Sequence, residues 1–339
     1  PTRSEAEVLV IHRETWGRNL EYEPLTEFRE PASTGQYLNV SPQGFRIHPG
    51  AAPWPPPKGV PIVFVFGGST AFGYGVADTE TIPARLQARL DQSGRHAVVY
   101  NFGRGSYSLN QERILFEKLI VANHHPQIAV FIDGINEGYY STDHTAISAD
   151  LSLAVARKNG KCEGTAMIES LPVNKLFAFG KPDNELAKLQ MQHIESQGER
   201  PSPEKYLTII RDRYEANRRL VSSIASEFQV KPLFVWQPAP TYEFDCSRHP
   251  FPAHPTHLIT APFYQQMSIW LDLTRTTNSI LDLSRIQRNL TEPLYVDYIH
   301  YSAFFCDHIA GRLAVPTKTA DGKRRKKQEL YSDILTAVH

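Results

Sequence analysis

Five short apolar runs, PIVFVF, AVVYNF, IAVFID, KPLFVW and SILDL, are each bounded by turn residues and separated by stretches of helical period. Runs of this length without polar alternation fit strands buried on both faces. Between the first two, TETIPARLQARL sets Ile82, Leu86 and Leu90 four apart behind a Thr and Glu suited to capping, which predicts an amphipathic helix. QERILFEKLIVAN repeats that period before the third run, and Tyr206, Ile210, Tyr214, Val221, Ile224 and Phe228 carry it before the fourth. Regular alternation of strand and helix implies βαβ crossovers, hence an α/β fold with a mainly parallel five-stranded sheet covered on both sides. In such sheets ligands bind at the carboxyl ends of the strands, so residues just after each run are the ones to inspect.

The flanks set the domain limits. With 339 residues and 41% apolar content, the chain can bury one large domain with insertions, or two smaller ones. Residues 1–60 are rich in Pro, Glu, Arg and Gly and end in PGAAPWPPPKG, which predicts an extended arm laid over the main domain. The main domain is expected over 61–315. Inside it, residues 139–203 break the rhythm with about 65 residues of polar, Gly/Lys/Ser-rich character, longer than ordinary connections, and read as an insertion with a lid or substrate-shaping role. Residues 316–339, with DGKRRKKQE, read as a solvated basic tail.

Composition excludes several function classes. Lys plus Arg and Asp plus Glu both number 36, so no net field draws the chain to nucleic acid or to an anionic surface. The three cysteines, Cys162, Cys246 and Cys306, form no C-x-x-C pair, so no thiolate metal site is written and at most one bridge is open. No stretch approaches the ~18 apolar residues of a membrane span, and no secretory leader is visible. The first residue is proline, which suggests a processed product.

VFVFGGSTAFGYGV, at 63–76, puts Ser69 in a Gly-rich turn after the first strand. A phosphate-binding P-loop needs a Lys after its second glycine, and Tyr74 stands there. The dinucleotide fingerprint fails because a loop, GYGVADTE, follows the last glycine. A G-x-S-x-G elbow is missed by one residue, Ala71. A nucleophilic serine demands a base, an acid to orient the base, and donors for an oxyanion. Candidates follow the other strands: NFGRGSYSLNQE after the second, IDGINEGYY after the third, and YVDYIHYS near the end, with Asp297 and His300 three apart on a helix or tight loop. Asp297 can then hold His300 while the other ring nitrogen faces Ser69. Taken singly, Ser69 also fits a small turn residue, Asn136 a helix cap, and His300 a structural histidine.

These blocks, FGGST, NFGRGS, DGINE and Asp297-x-x-His300, resemble in order and separation those of the SGNH (GDSL-type) hydrolases. The resemblance implies a flavodoxin-like three-layer sandwich over roughly 61–314, with no metal or organic cofactor. It also implies Ser69 as nucleophile, His300 as base, Asp297 as orienter, and an oxyanion hole made by the Ser69 amide, the Asn136 side chain and a second-block amide. The second block departs from the family's Asn-x-Gly-x-x-Gly: Asn101 and Gly103 match, Ser106 takes the last place and Gly105 comes one early. Both Gly105 and Ser106 are therefore candidates. Gly68 and Thr70 also replace the Asp and Leu of the literal Gly-Asp-Ser-Leu.

The expected activity is hydrolysis of an ester through an acyl-enzyme. A small-molecule or glycan ester is the expected partner, with neither nucleic acid nor a membrane span. Tyr74, Tyr107, Tyr139 and Tyr242 follow strand ends as substrate-binding candidates. Their rings, with the polar insertion, point to deacetylation of a carbohydrate. Acyl transfer by the same residues, or a non-catalytic carbohydrate-binding role, are the alternatives. Family habit points to a periplasmic or secreted location, with the cytoplasm open. In RHPFPAHPTH, His249, His254 and His257 lie in a Pro-rich loop without metal-ligand spacing, which favours substrate contact over a metal.

Overall fold

The first sixty residues hold more regular structure than an extended arm. Helix α1 (Glu5–Trp16) starts at a capping box in which the Ser4 amide donates to Glu7 at 2.9 Å and the Glu7 amide to the Ser4 hydroxyl at 3.4 Å. A hairpin follows, β1 (Glu21–Glu23) against β2 (Glu27–Arg29), and then β3 (Ser33–Thr34), β4 (Asn39–Val40) and β5 (Arg46–Ile47), each antiparallel to the next. The proline-rich stretch after them is irregular, and its Trp54 ring packs 5.4 Å from Tyr100 and 5.8 Å from Phe102. The structure, a computed structural model, describes residues 3–95, 97–139, 203–249, 251, 257–277 and 279–314. The expected insertion and basic tail therefore lie almost wholly outside the described residues.

The five apolar runs are strands β6 (Ile62–Gly67), β7 (Val98–Asn101), β8 (Ile128–Asp133), β9 (Lys231–Trp236) and β10 (Ile280–Asp282), all parallel. Their spatial order is β10-β9-β8-β6-β7, the doubly wound flavodoxin-like order in which the first strand lies between the second and third. Beyond β7 the sheet gains β5, β4 and β3, joined where Arg46 lies opposite Asn101, for eight strands in all. The sheet is thus larger than the five strands expected, because the N-terminal segment adds an antiparallel edge.

Side chains alternate between two cores. Val63 and Val65 of β6, with Val99, Val130 and Val235, face α3 (Ile82–Gln92) and α8 (Ala303–Ala314). Phe64 and Phe66 face the other way, towards α4 (Leu109–Val121), α6 (Pro203–Glu227) and α7 (His257–Leu273). On that side Phe66 stacks on Phe131 at 4.9 Å and Phe131 on Phe234 at 5.4 Å, an aromatic row across three neighbouring strands. Ile82, Leu86 and Leu90 are fully buried, and Phe228 falls just past α6 and is exposed. No helix among the described residues is long and apolar enough to cross a membrane. Cys246 is exposed and Cys306 buried, and both are free thiols.

Candidate active site

The strand order reverses at β6, so the loops after β6, β7 and β8 open side by side. After β6 the chain turns through Gly67 and Gly68 into the single-turn helix α2 (Ser69–Phe72). A Cβ on Gly68 would overlap the carboxamide of Asn136, so this glycine lets the loop after β8 close onto the serine. Gly73, in the left-handed region at φ 95°, ends the turn.

Ser69 meets the far end of the chain here. Its hydroxyl lies 2.8 Å from His300 Nε2, and His300 Nδ1–H donates to Asp297 Oδ2 at 2.6 Å. Of the two placements open to Asp297 and His300, helix or tight loop, the chain adopts the loop. A bridge between Tyr295 and Tyr301 pinches it, with the Val296 amide donating to the His300 carbonyl at 2.9 Å. Asp297 Oδ1 accepts the amides of Ile299 at 2.8 Å and His300 at 2.7 Å. Burial works to raise the Asp297 pKa, and His300 and the two amides outweigh it, leaving the group at about 2. Asp297 therefore stays charged, and its acceptance of Nδ1–H leaves Nε2 of a neutral ring free to take a proton.

Asn136 begins α5 (Ile135–Tyr139) one residue in. Its Nδ2 donates to the Tyr107 carbonyl at 2.6 Å, which fixes the carboxamide beside Gly68 and, among the described residues, leaves its second N–H uncommitted. The loop after β7 is clamped by Asn101, which accepts the Gly103 amide at 3.0 Å and donates to the Phe72 carbonyl at 3.1 Å. The two second-block amides are not equivalent. Gly105 N–H donates at 3.1 Å to Glu30 of the N-terminal segment, so it is not available to an oxyanion, and the expectation for Gly105 is corrected. Ser106 has φ 62°, the left-handed conformation usually left to glycine. Among the described residues its amide meets no hydrogen-bond acceptor.

Two of the tyrosines are also corrected as substrate contacts. Tyr74 and Tyr107 are 6% and 1% exposed. The Tyr74 hydroxyl donates to Glu30 at 2.8 Å, and that of Tyr107 donates to the Phe28 carbonyl and accepts from Arg104. Tyr242 donates to the Ser268 hydroxyl at 2.8 Å and lines a cavity of about 480 Å³ with Thr241, Glu243, Pro262 and Arg285. None of Ser69, Asp297 or His300 lines that cavity. The Tyr139 side chain lies outside the described residues. His249 stacks on Tyr295 at 5.3 Å, while His254 and the His257 ring lie outside them too. Among the described residues no group of three or more His, Cys, Asp or Glu is placed to hold a metal ion.

Three supporting residues escaped the sequence reading. Gln237, after β9, accepts the Thr70 hydroxyl at 2.7 Å and the Tyr301 hydroxyl at 3.1 Å, tying the serine turn to the histidine loop. Arg46 of β5 donates to the carbonyls of Phe72 at 3.1 Å and Gly73 at 2.6 Å, closing the last turn of α2. Trp16 of α1 meets the His300 ring edge-on at 5.7 Å. Only the serine, histidine, aspartate and asparagine had a spacing signature; these three act across distances that sequence does not display.

No protein-family model matches the chain, and no curated protein matches it significantly. Solved structures similar to it are lipolytic proteins of the G-D-S-L family and acetylxylan esterases. One is a member of the lipolytic protein G-D-S-L family from Veillonella parvula, at 10% identity and TM-score 0.38, covering 74% of this chain and 94% of that one. Another is an acetylxylan esterase from Geobacillus stearothermophilus, at 13% identity and TM-score 0.41, covering 75% and 91%. A third is the acetyl xylan esterase AlAXEase, at 13% identity and TM-score 0.39, covering 74% and 96%.

Proposed function

We propose that this chain is a serine esterase of the SGNH type, hydrolysing a carboxylic ester through an acyl-enzyme. The observation that carries the reading is the unbroken relay from the Ser69 hydroxyl through His300 to Asp297, at 2.8 and 2.6 Å. Ser69 Oγ attacks the ester carbonyl while its proton passes to His300 Nε2. Asp297 holds the imidazole in the required tautomer and stabilises the imidazolium. His300 then gives the proton to the departing alcohol, and a water attacks the acyl-enzyme by the same steps in reverse.

Negative charge on the tetrahedral oxygen is met by the amides of Ser69 and Ser106 and the uncommitted N–H of Asn136. The Ser69 amide, in the first turn of α2, has no acceptor within its helix. Donors fixed before the charge develops are each worth about 10²- to 10³-fold in rate. An intact relay favours catalysis over a binding-only role, while acyl transfer would use the same residues and is separated from hydrolysis by product analysis.

Substrate identity rests on less. With Tyr74 and Tyr107 buried, the ring-lined edge that pointed to a sugar is reduced, and acetylated carbohydrate stands as the first substrate to test. A fluorophosphonate should label Ser69 covalently, and Ser69→Ala should lose both labelling and hydrolysis of p-nitrophenyl acetate and acetylated xylo-oligosaccharides with an unchanged circular dichroism spectrum. A folded wild-type chain that neither labels nor turns over any of these esters would overturn the proposal.

A further inference from the structure

Glu30 follows β2 in the N-terminal segment and is 1% exposed. Its Oε2 accepts from Arg18 at 2.8 Å. Its Oε1 accepts from two groups of the main domain, the Tyr74 hydroxyl at 2.8 Å and the Gly105 amide at 3.1 Å. Each of those groups is one step from the reacting atoms. The Tyr74 ring lies stacked on His300 at 5.3 Å with 22° between planes, and Gly105 precedes the residue whose amide faces the developing oxyanion in the proposed mechanism. Trp16 closes the group, edge-on to both Tyr74 and His300 at 5.7 Å.

Burying a carboxylate costs far more than burying an apolar side chain unless several donors meet it, so a simple tether for the segment would not need one. What a carboxylate supplies here is two directed bonds from one oxygen. One holds the phenol whose ring supports the imidazole. The other turns the Gly105 amide inward to the segment, which leaves Ser106 as the amide at the serine. A Cβ at Gly105 would strike the Tyr74 hydroxyl, so the two targets are also packed against each other. Burial, followed by the charge of Glu30, pushes the Tyr74 phenol well above its usual range, so it remains a donor.

We propose that Glu30 is a positioning residue for the reaction, aligning His300 through Tyr74 and selecting the Ser106 amide for the oxyanion through Gly105. The N-terminal segment is then a working part of the active site. The proposal rests on the esterase reading for its kinetic consequence, and on geometry alone for its structural one.

The full-length chain should be prepared with Glu30→Gln, Glu30→Ala and Tyr74→Phe. Two measurements are made on folded protein: kcat and KM for p-nitrophenyl acetate, and the downfield proton NMR signal of the His300 Nδ1–H bonded to Asp297. Glu30→Ala should lower kcat by about 10- to 100-fold with KM little changed, because misalignment of this kind is felt in the transition state. It should also broaden the downfield signal by admitting exchange with water. Glu30→Gln, which keeps an acceptor for both donors, should retain most of the rate and the signal. Tyr74→Phe removes one hydroxyl without moving the ring and should show part of both losses.

A folded Glu30→Ala with wild-type kcat and an unchanged signal overturns the proposal, as does a loss confined to KM. If that variant does not fold, Tyr74→Phe decides, and its unchanged rate and signal would overturn the proposal. If the wild-type chain hydrolyses nothing, the esterase reading falls by itself, and the NMR comparison still decides whether Glu30 positions His300.

Discussion

Asp297 shows how much one side chain's surroundings determine. Its pKa of about 2 lies below the ordinary carboxylate value of 3.8, so the stability it confers is complete above that ordinary value and is lost as pH falls through about 2. Acidification to pH ~4 should therefore leave the His300 hold intact, and Asp297→Asn should reduce kcat by about 10⁴-fold without unfolding the chain, since the imidazole tautomer is no longer fixed. Asn136→Ala should cost about 10²- to 10³-fold in kcat, read under saturating substrate. Ser69, Asn136, Asp297 and His300 were legible as candidates because the proposed chemistry demands those residue types, and each lies in a loop or short helix after a strand. The choice between Gly105 and Ser106 was not legible. It depends on a carboxylate 75 positions away in sequence, and the tyrosines misled because loop position says nothing of which way a ring turns.

Between elements, the junction of β8, α4 and α5 is held by three buried acids. Glu112 on α4, Asp133 at the end of β8 and Glu137 on α5 are between 1% and 3% exposed. Glu137 accepts the Leu109 amide at 2.7 Å, and Arg213 of α6 acts on it as well. Among the described residues the carboxyl oxygens of Glu112 and Asp133 meet no donor outside their own pair, with Tyr214 of α6, Tyr264 of α7 and Trp236 of β9 close by. Burial raises all three acids, with repulsion from neighbouring carboxylates adding to it at Glu112 and Asp133 and Arg213 and the Leu109 amide opposing it at Glu137, so the folded chain binds more protons than the unfolded one above their ordinary values of 4.5 and 3.8. Stability contributed by this junction is full below those values and declines as pH rises. Glu112→Gln, which imitates the protonated form, should flatten the fall of the melting temperature as pH rises above those ordinary values. Strand and helix alternation gave away β6 to β10 and the helices between them because the strands are continuous apolar runs and those helices carry a helical period. The two-residue strands β3, β4 and β5 show none, and α1 fell inside the stretch read as an extended arm.

Across the whole molecule, the N-terminal segment and the parallel sheet are joined through Arg46. Its side chain is 1% exposed, donates to Asp78 at 2.7 Å, and reaches the carbonyls of Phe72, Gly73 and Val76 around the serine turn. Asp78 in turn accepts from Asn39 of β4 at 2.7 Å, so the pair spans the added strands and the loop after α2. Removing the guanidinium would leave Asp78 buried without its charge partner and the Val76 carbonyl without this donor, while the Phe72 carbonyl keeps only Asn101 and the Gly73 carbonyl only the Val76 amide. Breaking a buried pair from one side costs about 3–5 kcal/mol, well beyond the median surface salt bridge. Arg46→Met should therefore lower the urea midpoint by an amount matching that loss. Because the same bonds close α2, it should also lower kcat at temperatures where the variant is still folded. If the segment were only draped over a self-sufficient domain, the variant would keep the wild-type midpoint and rate, and a urea titration followed by both circular dichroism and esterase activity separates the two cases.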